Sequence, residues 1–166
     1  MEIIQANTSH ISTIQDIALR SWEITYADIL SQEQMNYMID MMYSTQALKK
    51  QMTEQNQFFL LIKTDPLSDI LGFISYEFNY KNQPKTKIHK LYLLPECKGK
   101  GMGRILIDKV ATLAQTEGNN HLSLNMNRDN KSIGFYKQMG FEIVGEEDND
   151  IGSGYLMEDY IFEKKI

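Results

Sequence analysis

The sequence has few of the residues that cross-link a small protein or hold a metal ion. It contains one cysteine, Cys97, and three histidines, and none of them lies in a cluster with zinc-ligand spacing. A single cysteine cannot close an internal disulfide, so we expect a reducing, cytoplasmic setting and no structural metal.

Long apolar runs are also missing. No apolar stretch approaches the roughly 18 residues that a membrane-spanning helix needs, and the opening MEIIQANTSH lacks the charged segment and apolar run of a signal peptide. The content of 42% hydrophobic and 23% charged residues is ordinary for a globular protein. We therefore expect no export, no membrane partner and a single domain over residues 1–166.

Three common catalytic or nucleotide-binding motifs are absent as well. No G-x-x-x-x-G-K-[ST] loop occurs, and G-x-G-x-x-G fails because Arg104 or Leu106 occupies the third glycine position. His10 and His121 have no companion Ser or Cys motif, and there is no G-x-S-x-G elbow. A P-loop enzyme, a dinucleotide-binding fold and a Ser-His-Asp hydrolase are therefore unsupported.

The charge is unevenly distributed along the chain. The net charge is -5, yet Lys81–Arg104 holds seven of the 17 basic residues and one acid, Glu96, while Glu142–Asp150 holds five acids and no base. Two fields of opposite sign suit two different ligands. A nucleic-acid module built on the basic stretch is an alternative, but the overall acidity and the lack of a recognition-helix pattern disfavour it, so we expect no nucleic-acid partner.

The apolar patterns predict elements in the order βααβββαβαββ, an α+β fold. A helix joins the strand that ends at Leu94 to the strand at 121–126, so these two strands are expected to pair in parallel within a mostly antiparallel sheet. Strands are predicted at 1–6, 57–63, 70–80, 86–94, 121–126, 141–147 and 155–165, and helices at 11–22, 31–52, 102–113 and 130–139.

A methionine-rich stripe marks the second predicted helix. Met35, Met38, Ile39 and Met42 recur at the spacing of one helical face. Core packing is the simplest interpretation. The alternative is that flexible thioethers line an adaptable acceptor pocket.

A glycine-rich turn precedes the third predicted helix. Its glycines and basic residues are Gly99, Gly101, Gly103, Lys90, Lys98, Lys100 and Arg104. A helix N-terminus presents unpaired N–H groups, and glycines allow an anion to approach them closely. The turn therefore indicates an anion site, the alternative being a turn with solvated lysines.

Two motifs together resemble the GNAT superfamily of CoA-dependent N-acyltransferases. PECKGKGMGRILI resembles its phosphate-binding motif [QR]-x-x-G-x-[GA], with Lys98, Gly101 and Gly103 in place. NRDNKSIGFYKQMGFEIVG resembles its second motif through Asn130, Phe135, Tyr136, Gly140 and Phe141. The departure is Lys98, which keeps the positive charge of an arginine but lacks the planar fork. The resemblance covers nearly the whole chain and implies a mostly antiparallel sheet with one parallel, splayed strand pair, flanked by helices.

The resemblance also implies acetyl-CoA as co-substrate and no metal. Residues Leu91 to Leu93, in the strand KLYLL, are expected to pair with the pantetheine arm through their backbone, and the glycine turn is expected to hold the pyrophosphate. Asn130 fits a cofactor contact and an ordinary helix N-cap equally well. The implied cofactor-binding residues are Leu91, Tyr92, Leu93, Lys98, Gly99, Lys100, Gly101, Met102, Gly103, Arg104, Asn130 and Tyr136.

For catalysis, the resemblance assigns Tyr136 as the general acid, a phenol that stays protonated at pH 7 and protonates the departing thiolate. Packing within its short helix is the alternative. The general base is less defined: His89 is the first candidate and Glu77 the second. A structural histidine and a solvated carboxylate are their respective alternatives.

The acceptor is expected to be a small cationic amine, with polyamines first. Trp22, Glu23, Tyr26 and Asp28 lie in the helix that forms one acceptor wall in the family, and the acidic GEEDND segment is expected to be a turn that forms another. Packing or solvated roles are the alternatives. Peptide N-termini, drug-like amines, amino acids and a non-catalytic acyl-CoA-binding role also remain open, as does a homodimer that pairs through an exposed final strand.

Overall fold

Seven strands and five α-helices make up the protein in the computed structural model, which describes residues 1–166. The strands are β1 (Glu2–Gln5), β2 (Phe58–Lys63), β3 (Gly72–Glu77), β4 (Lys85–Leu93), β5 (His121–Asn127), β6 (Glu142–Gly152) and β7 (Tyr155–Lys165). The helices are α1 (Ile11–Thr25), α2 (Gln32–Tyr43), α3 (Thr45–Thr53), α4 (Met102–Thr116) and α5 (Ile133–Gln138). No helix is long and apolar enough to cross a membrane.

The strands form one mixed sheet in the order β1-β2-β3-β4-β5-β7-β6. Every neighbouring pair is antiparallel except β4 and β5, which are parallel. The predicted α+β fold, its antiparallel meander and its single parallel pair are thus confirmed.

The parallel pair opens at one end. Pairing between β4 and β5 runs from Lys85 opposite His121 to Ile88 opposite Leu124, and then stops. Both strands continue, β4 to Leu93 and β5 to residue 127, so their facing edges are unpaired there. We call this opening, between residues 89–93 and 125–127, the gap.

A β-bulge lies where the gap begins. Tyr76 of β3 pairs with Ile88, and the next residue, Ser75, pairs with Lys90, which leaves His89 as an extra residue in β4. An extra residue bends its strand and increases the local twist. The bulge therefore accounts physically for the separation of β4 from β5 just beyond Ile88.

Helices cover both faces of the sheet. On one face, Trp22 of α1 lies 6.1 Å, ring to ring, from Tyr92, and Gln51 of α3 bonds to Lys90. On the other face, Gly103 of α4 approaches Leu93, and the α5 residue Tyr136 packs on the β7 residue Phe162. We call these the α1–α3 face and the α4–α5 face. The predicted apolar stripes fill the core between them: Ile11, Ile14, Ala18, Trp22, Met35, Met38, Met102, Leu106 and Val110 are all buried.

The structure corrects three details of the sequence prediction. The predicted helix over 31–52 breaks at Ser44, whose extended backbone (ψ 154°) ends α2 and whose Oγ accepts from the Ala47 N–H to start α3. Helix α5 begins at Ile133, not at residue 130. The acidic segment 145–150 is part of β6 and is not a turn, because the chain reverses later, at residues 152–154, all with positive φ.

The final strand is not an edge. β7 lies between β5 and β6, with hydrogen-bonding neighbours on both sides. The expectation of an exposed final strand that pairs between subunits is therefore wrong. The edge on that side is β6, because the β6–β7 hairpin folds back with its last strand against β5.

Candidate active site

A set of backbone N–H donors without partners in the protein lies at the start of α4. Gly101 caps the helix with φ +78°, a conformation that suits glycine, and no side chain caps the exposed N–H groups. The N–H groups of Met102, Gly103 and Arg104 make no hydrogen bond within the protein. A helix N-terminus with free donors attracts anions.

Exposed cations surround these donors. Lys98, Lys100 and Arg104 are exposed and form no ion pair, while the one acid of the loop, Glu96, is engaged by Arg20 at 2.9 Å. Free cations beside free N–H groups favour a multiply charged anion such as a pyrophosphate. We call this arrangement the anion cradle.

Lys90 does not belong to the anion cradle, although the sequence groups it with the basic residues of this stretch. It is 8% exposed, lies on the α1–α3 face and donates to Gln51 Oε1 at 2.8 Å. No carboxylate pairs with it, and burial lowers its pKa to about 7. The bulge explains why the sequence pattern grouped Lys90 with the wrong residues, because the extra residue changes which side chains of β4 face α4.

The anion cradle and the gap are held together by close packing. A Cβ added to Gly103 would lie 3.2 Å from the ring of Phe135 and 3.8 Å from Leu93. Glycine at this position therefore lets α4 start beside both α5 and the end of β4. The predicted strand residues Leu91, Tyr92 and Leu93 lie along one side of the gap, where Ser21 donates to the Leu93 carbonyl at 2.9 Å.

Tyr136 approaches the gap from the α4–α5 face. Its ring packs against Phe135, Phe141 and Phe162, and its hydroxyl makes no hydrogen bond within the protein. Burial raises the pKa of Tyr136, and the phenol of Tyr26 raises it further. The hydroxyl is therefore a protonated and uncommitted donor.

An aromatic cluster closes the α1–α3 side. Tyr26 and Tyr92 face each other with hydroxyls 3.4 Å apart, and Trp22 packs 4.5 Å from Tyr26 and 5.9 Å from Tyr43. Burial raises the pKa of Tyr26. Of the expected acceptor-wall residues, Trp22 lies in the core at 2% exposure, Tyr26 is half-buried, and Glu23 is exposed without a hydrogen bond. Asp28 is also exposed.

The two candidate bases are in direct contact. His89 Nε2 lies 2.9 Å from Glu77 Oε2, and the His89 ring meets Tyr80 edge-on. Burial lowers the pKa of His89 to about 3, assisted by the charges of Lys90 and Lys87, so its imidazole is neutral at pH 7. If the Nε2–H donates to the Glu77 carboxylate, the lone pair at Nδ1 is free to accept a proton.

Asn130 closes the turn before α5. Its Oδ1 accepts from the Ser132 N–H at 2.8 Å, and its own N–H donates to the Asn127 carbonyl. The predicted N-cap role is wrong, because Ser132 is the N-cap of α5 and Asn130 closes the turn ahead of the helix. The Asn130 side chain also lies beside the Tyr26 hydroxyl and lowers the pKa of that phenol.

A buried polar network on the α1–α3 face was not foreseen from the sequence. Lys87 donates to Asn125, and Asn125 donates to Glu147 at 2.8 Å. Asp159 of β7 lies beside them and is 3% exposed. No motif marks these residues, because polar side chains in a predicted strand are normally interpreted as exposed to solvent. Only the pairing of β5, β6 and β7 brings them together.

The acidic segment of β6 faces two ways. Glu147 points to the α1–α3 face with its β7 partner, while Glu146, Asp148 and Asp150 are exposed. The tip of the β6–β7 hairpin rests on α2, where the Tyr37 hydroxyl donates to the Ile151 carbonyl at 2.6 Å. One acid of the segment, and not the whole of it, therefore adjoins the gap region. Across the protein, no group of three or more His, Cys, Asp or Glu side chains has the arrangement of a metal site.

The amino-acid sequence is similar to those of N-acetyltransferases. A spermidine N(1)-acetyltransferase of Thermoplasma acidophilum is 30% identical over 162 residues, which cover 95% of this chain and 96% of that protein. A peptidyl-lysine N-acetyltransferase of Salmonella typhimurium is 34% identical over 74 residues, 43% of this chain and 48% of that protein.

Solved structures agree with the fold. The crystal structure of PaiA N-acetyltransferase from Thermoplasma acidophilum, in complex with coenzyme A, superposes with a TM-score of 0.81 at 28% identity, covering 99% of this chain and 98% of that one. A GCN5-related N-acetyltransferase from Rhodopseudomonas palustris has a TM-score of 0.83 at 21% identity, covering 99% and 95%. The acetyltransferase (GNAT) domain family matches residues 26–156. The chain therefore belongs to the GNAT family of acetyltransferases.

Proposed function

We propose that the protein transfers the acetyl group of acetyl-CoA to a primary amine of a small polycation such as spermidine, and that residues 1–166 act as one catalytic domain. The observation that carries the proposal is the anion cradle, which adjoins a strand gap with Tyr136 at its side. The spermidine N(1)-acetyltransferase relative, matched over 95% of this chain, supports the choice of acceptor.

The residues divide the binding work by chemistry. The N–H groups at the start of α4, with Lys98, Lys100 and Arg104, would hold the pyrophosphate of coenzyme A. The unpaired edge of residues 91–93 would bond the pantetheine arm, as a strand edge bonds an extended ligand. Asn130 and the Tyr136 side chain would border the thioester.

In the transfer step, the neutral amine attacks the thioester carbonyl carbon and the C–S bond breaks. Tyr136 gives its hydroxyl proton to the departing thiolate. His89 stays neutral at pH 7, and its Nδ1 would relay the proton lost by the amine to solvent while its Nε2–H is held by Glu77. Proton return from His89 through solvent to Tyr136 completes the cycle, so that the protein is unchanged.

The acceptor class can be tested by thiol release. We expect acetyl-CoA cleavage to depend on added amine and to be fastest with spermidine, spermine and related diamines, because a polycation suits an acidic protein with net charge -5. Free thiol would be followed over a panel of polyamines, amino acids, lysine peptides and N-terminal peptides, with mass spectrometry of the product. Faster release with a peptide would overturn the polyamine assignment, and tight acetyl-CoA binding without release would favour a binding-only role.

A glycine pair tests the anion cradle. We expect Gly101→Ala to raise the KM for acetyl-CoA about ten-fold, because a Cβ there enters the open space where the anion would sit. Gly118→Ala is the matched control: Gly118 has φ +79° and equally open surroundings, but it lies at the far end of α4.

Both substitutions should cost about 1–2 kcal/mol of folding free energy, since both place a side chain in the left-handed region. Only the change at Gly101 should affect acetyl-CoA. Equal KM values in the two variants would remove the anion cradle from cofactor binding.

A further inference from the structure

Asp159 is a buried carboxylate without a countercharge. It is 3% exposed, and no Lys, Arg or His nitrogen lies within 4.0 Å of it. Burial of an unpaired carboxylate is costly, and such groups usually acquire a cationic partner. No such partner is present within the chain.

The nearby cations are committed elsewhere. Lys87 donates to Asn125, and Arg128 is paired with Asp148 and Glu146. A hydrogen bond from the Asn125 side chain and the nearby charges of Lys87 and Arg128 favour ionisation of Asp159, whereas Glu147 opposes it. Burial is the largest effect and raises the pKa of Asp159. A cationic ligand nitrogen would supply the contact that the chain does not.

The position of Asp159 relates it to the gap. It pairs with Asn127, the last residue of β5, beyond the point where β4 and β5 separate. Phe162, which supports Tyr136, lies three residues further along the same strand and so points to the opposite face. Asp159 therefore approaches from the α1–α3 face, and Tyr136 from the α4–α5 face.

Tyr26 links the two sides. The charge of Asp159 raises the pKa of Tyr26, and Tyr26 in turn raises that of Tyr136. An amine placed beside Asp159 would thus lie against the tyrosine rings that border the gap, opposite the general acid. Aromatic faces also favour an ammonium group.

We propose that Asp159 is the anionic contact that holds the ammonium group of the acceptor on the α1–α3 face of the gap. This inference rests on the proposed function, because it concerns the acceptor of that same reaction. It adds a specificity-determining residue in the last strand, outside both sequence motifs.

The test compares two carboxylates that are adjacent in β7. Asp159→Asn should raise the KM for spermidine about ten-fold, since a charged hydrogen bond is lost, and should change the KM for acetyl-CoA less than two-fold. Glu158→Gln is the matched control, because Glu158 is exposed and points to the opposite face. It should leave both KM values unchanged, while Asp159→Glu should recover part of the spermidine affinity.

Two further measurements separate the possible failures. Calorimetry of spermidine binding, with coenzyme A present, should detect weaker binding in Asp159→Asn even if turnover is slow. Thermal unfolding should give an equal or higher Tm for Asp159→Asn, because an uncompensated buried charge is removed, whereas a carboxylate with only a structural role would lower it.

The inference is overturned if Asp159→Asn and Glu158→Gln bind spermidine equally well. By contrast, wild-type protein that binds spermidine through Asp159 but releases no thiol would overturn the proposed reaction and leave the ammonium contact standing.

Discussion

Replacing Tyr136 by phenylalanine is expected to lower kcat about a hundred-fold, the contribution typical of a positioned general acid, while the KM for acetyl-CoA stays within about two-fold. The ring of Tyr136 packs against Phe135, Phe141 and Phe162, and phenylalanine preserves these contacts. The hydroxyl has no hydrogen bond to lose within the protein. A large fall in kcat would therefore report on the proton that the thiolate requires.

The raised pKa of Tyr136 has a consequence for the pH profile. An acid with a pKa above its usual value stays protonated through the neutral and mildly alkaline range. Burial raises the pKa of a thiol as well, so the thiolate formed in the same apolar surroundings can still accept the proton. We expect no alkaline decline of kcat below about pH 10 that is assignable to this group.

Tyr160→Phe is the matched control for the hydroxyl. Tyr160 lies two residues before Phe162 on β7, with its ring 6.4 Å from that residue. The measurement is steady-state thiol release for both variants, together with calorimetric titration of coenzyme A. If Tyr136→Phe retains the kcat of Tyr160→Phe, Tyr136 is not the general acid.

Lys90→Met is expected to stabilise the protein by about 2 kcal/mol at pH 7. Burial holds the pKa of Lys90 near 7, whereas the unfolded chain has the ordinary value of 10.5. At about 1.4 kcal/mol per pKa unit, that difference corresponds to roughly 5 kcal/mol. Methionine fills a similar volume but loses the bond to Gln51, so part of the gain is cancelled.

The sign of the pH dependence follows from the two pKa values. Between about pH 7 and 10.5 the unfolded chain holds a proton on Lys90 that the folded chain does not, so stability rises with pH in this window. Below about pH 7 the destabilisation is complete, and above 10.5 it vanishes. The benefit of Lys90→Met should therefore shrink as the pH rises from 7 to 10.

Denaturant unfolding of both proteins across that range measures this effect. Lys49→Met, an exposed lysine on α3, is the control and should stay within about 0.5 kcal/mol of the parent protein at every pH. A Lys90→Met protein that is less stable than the parent at pH 7 would mean that the lysine is retained for stability.

Much of the fold could be predicted because the core-facing residues follow simple periods. The stripe from Ile11 to Trp22 and that from Met102 to Val110 are buried as their spacing indicates. The helix that connects β4 to β5 predicted their parallel pairing, since two strands of one sheet joined through a helix usually form a right-handed crossover. Local turn chemistry was harder: Ser44 interrupts a run that is helical on both sides, and nothing in its neighbours signals the break.

Acidic composition misled the prediction for β6. A segment of acidic residues with Asn and Gly is typical of a turn, yet here it forms part of an edge strand. Charged side chains are tolerated on an edge strand and discourage its pairing with another chain. For the candidate site, the motifs located Lys98 to Arg104 and Tyr136. The motifs could not reveal that Lys90 and Asp159 are buried. Burial of a charged side chain depends on how neighbouring strands are aligned, and the apolar pattern of a single strand does not determine that alignment.

The bulge at His89 gives β4 two different side-chain phases. Before it, odd-numbered residues such as Lys87 face the α1–α3 side; after it, even-numbered residues such as Lys90 and Tyr92 do. The alternation of β4 side chains between the two faces of the sheet thus shifts by one residue at the place where β4 separates from β5. A one-residue deletion there would leave Lys90 and Tyr92 on the α1–α3 side, whereas regular pairing of the full-length strand without a bulge would turn Tyr92 towards α4. The face that each side chain of β4 presents to the site therefore depends on the bulge as well as on the residues themselves.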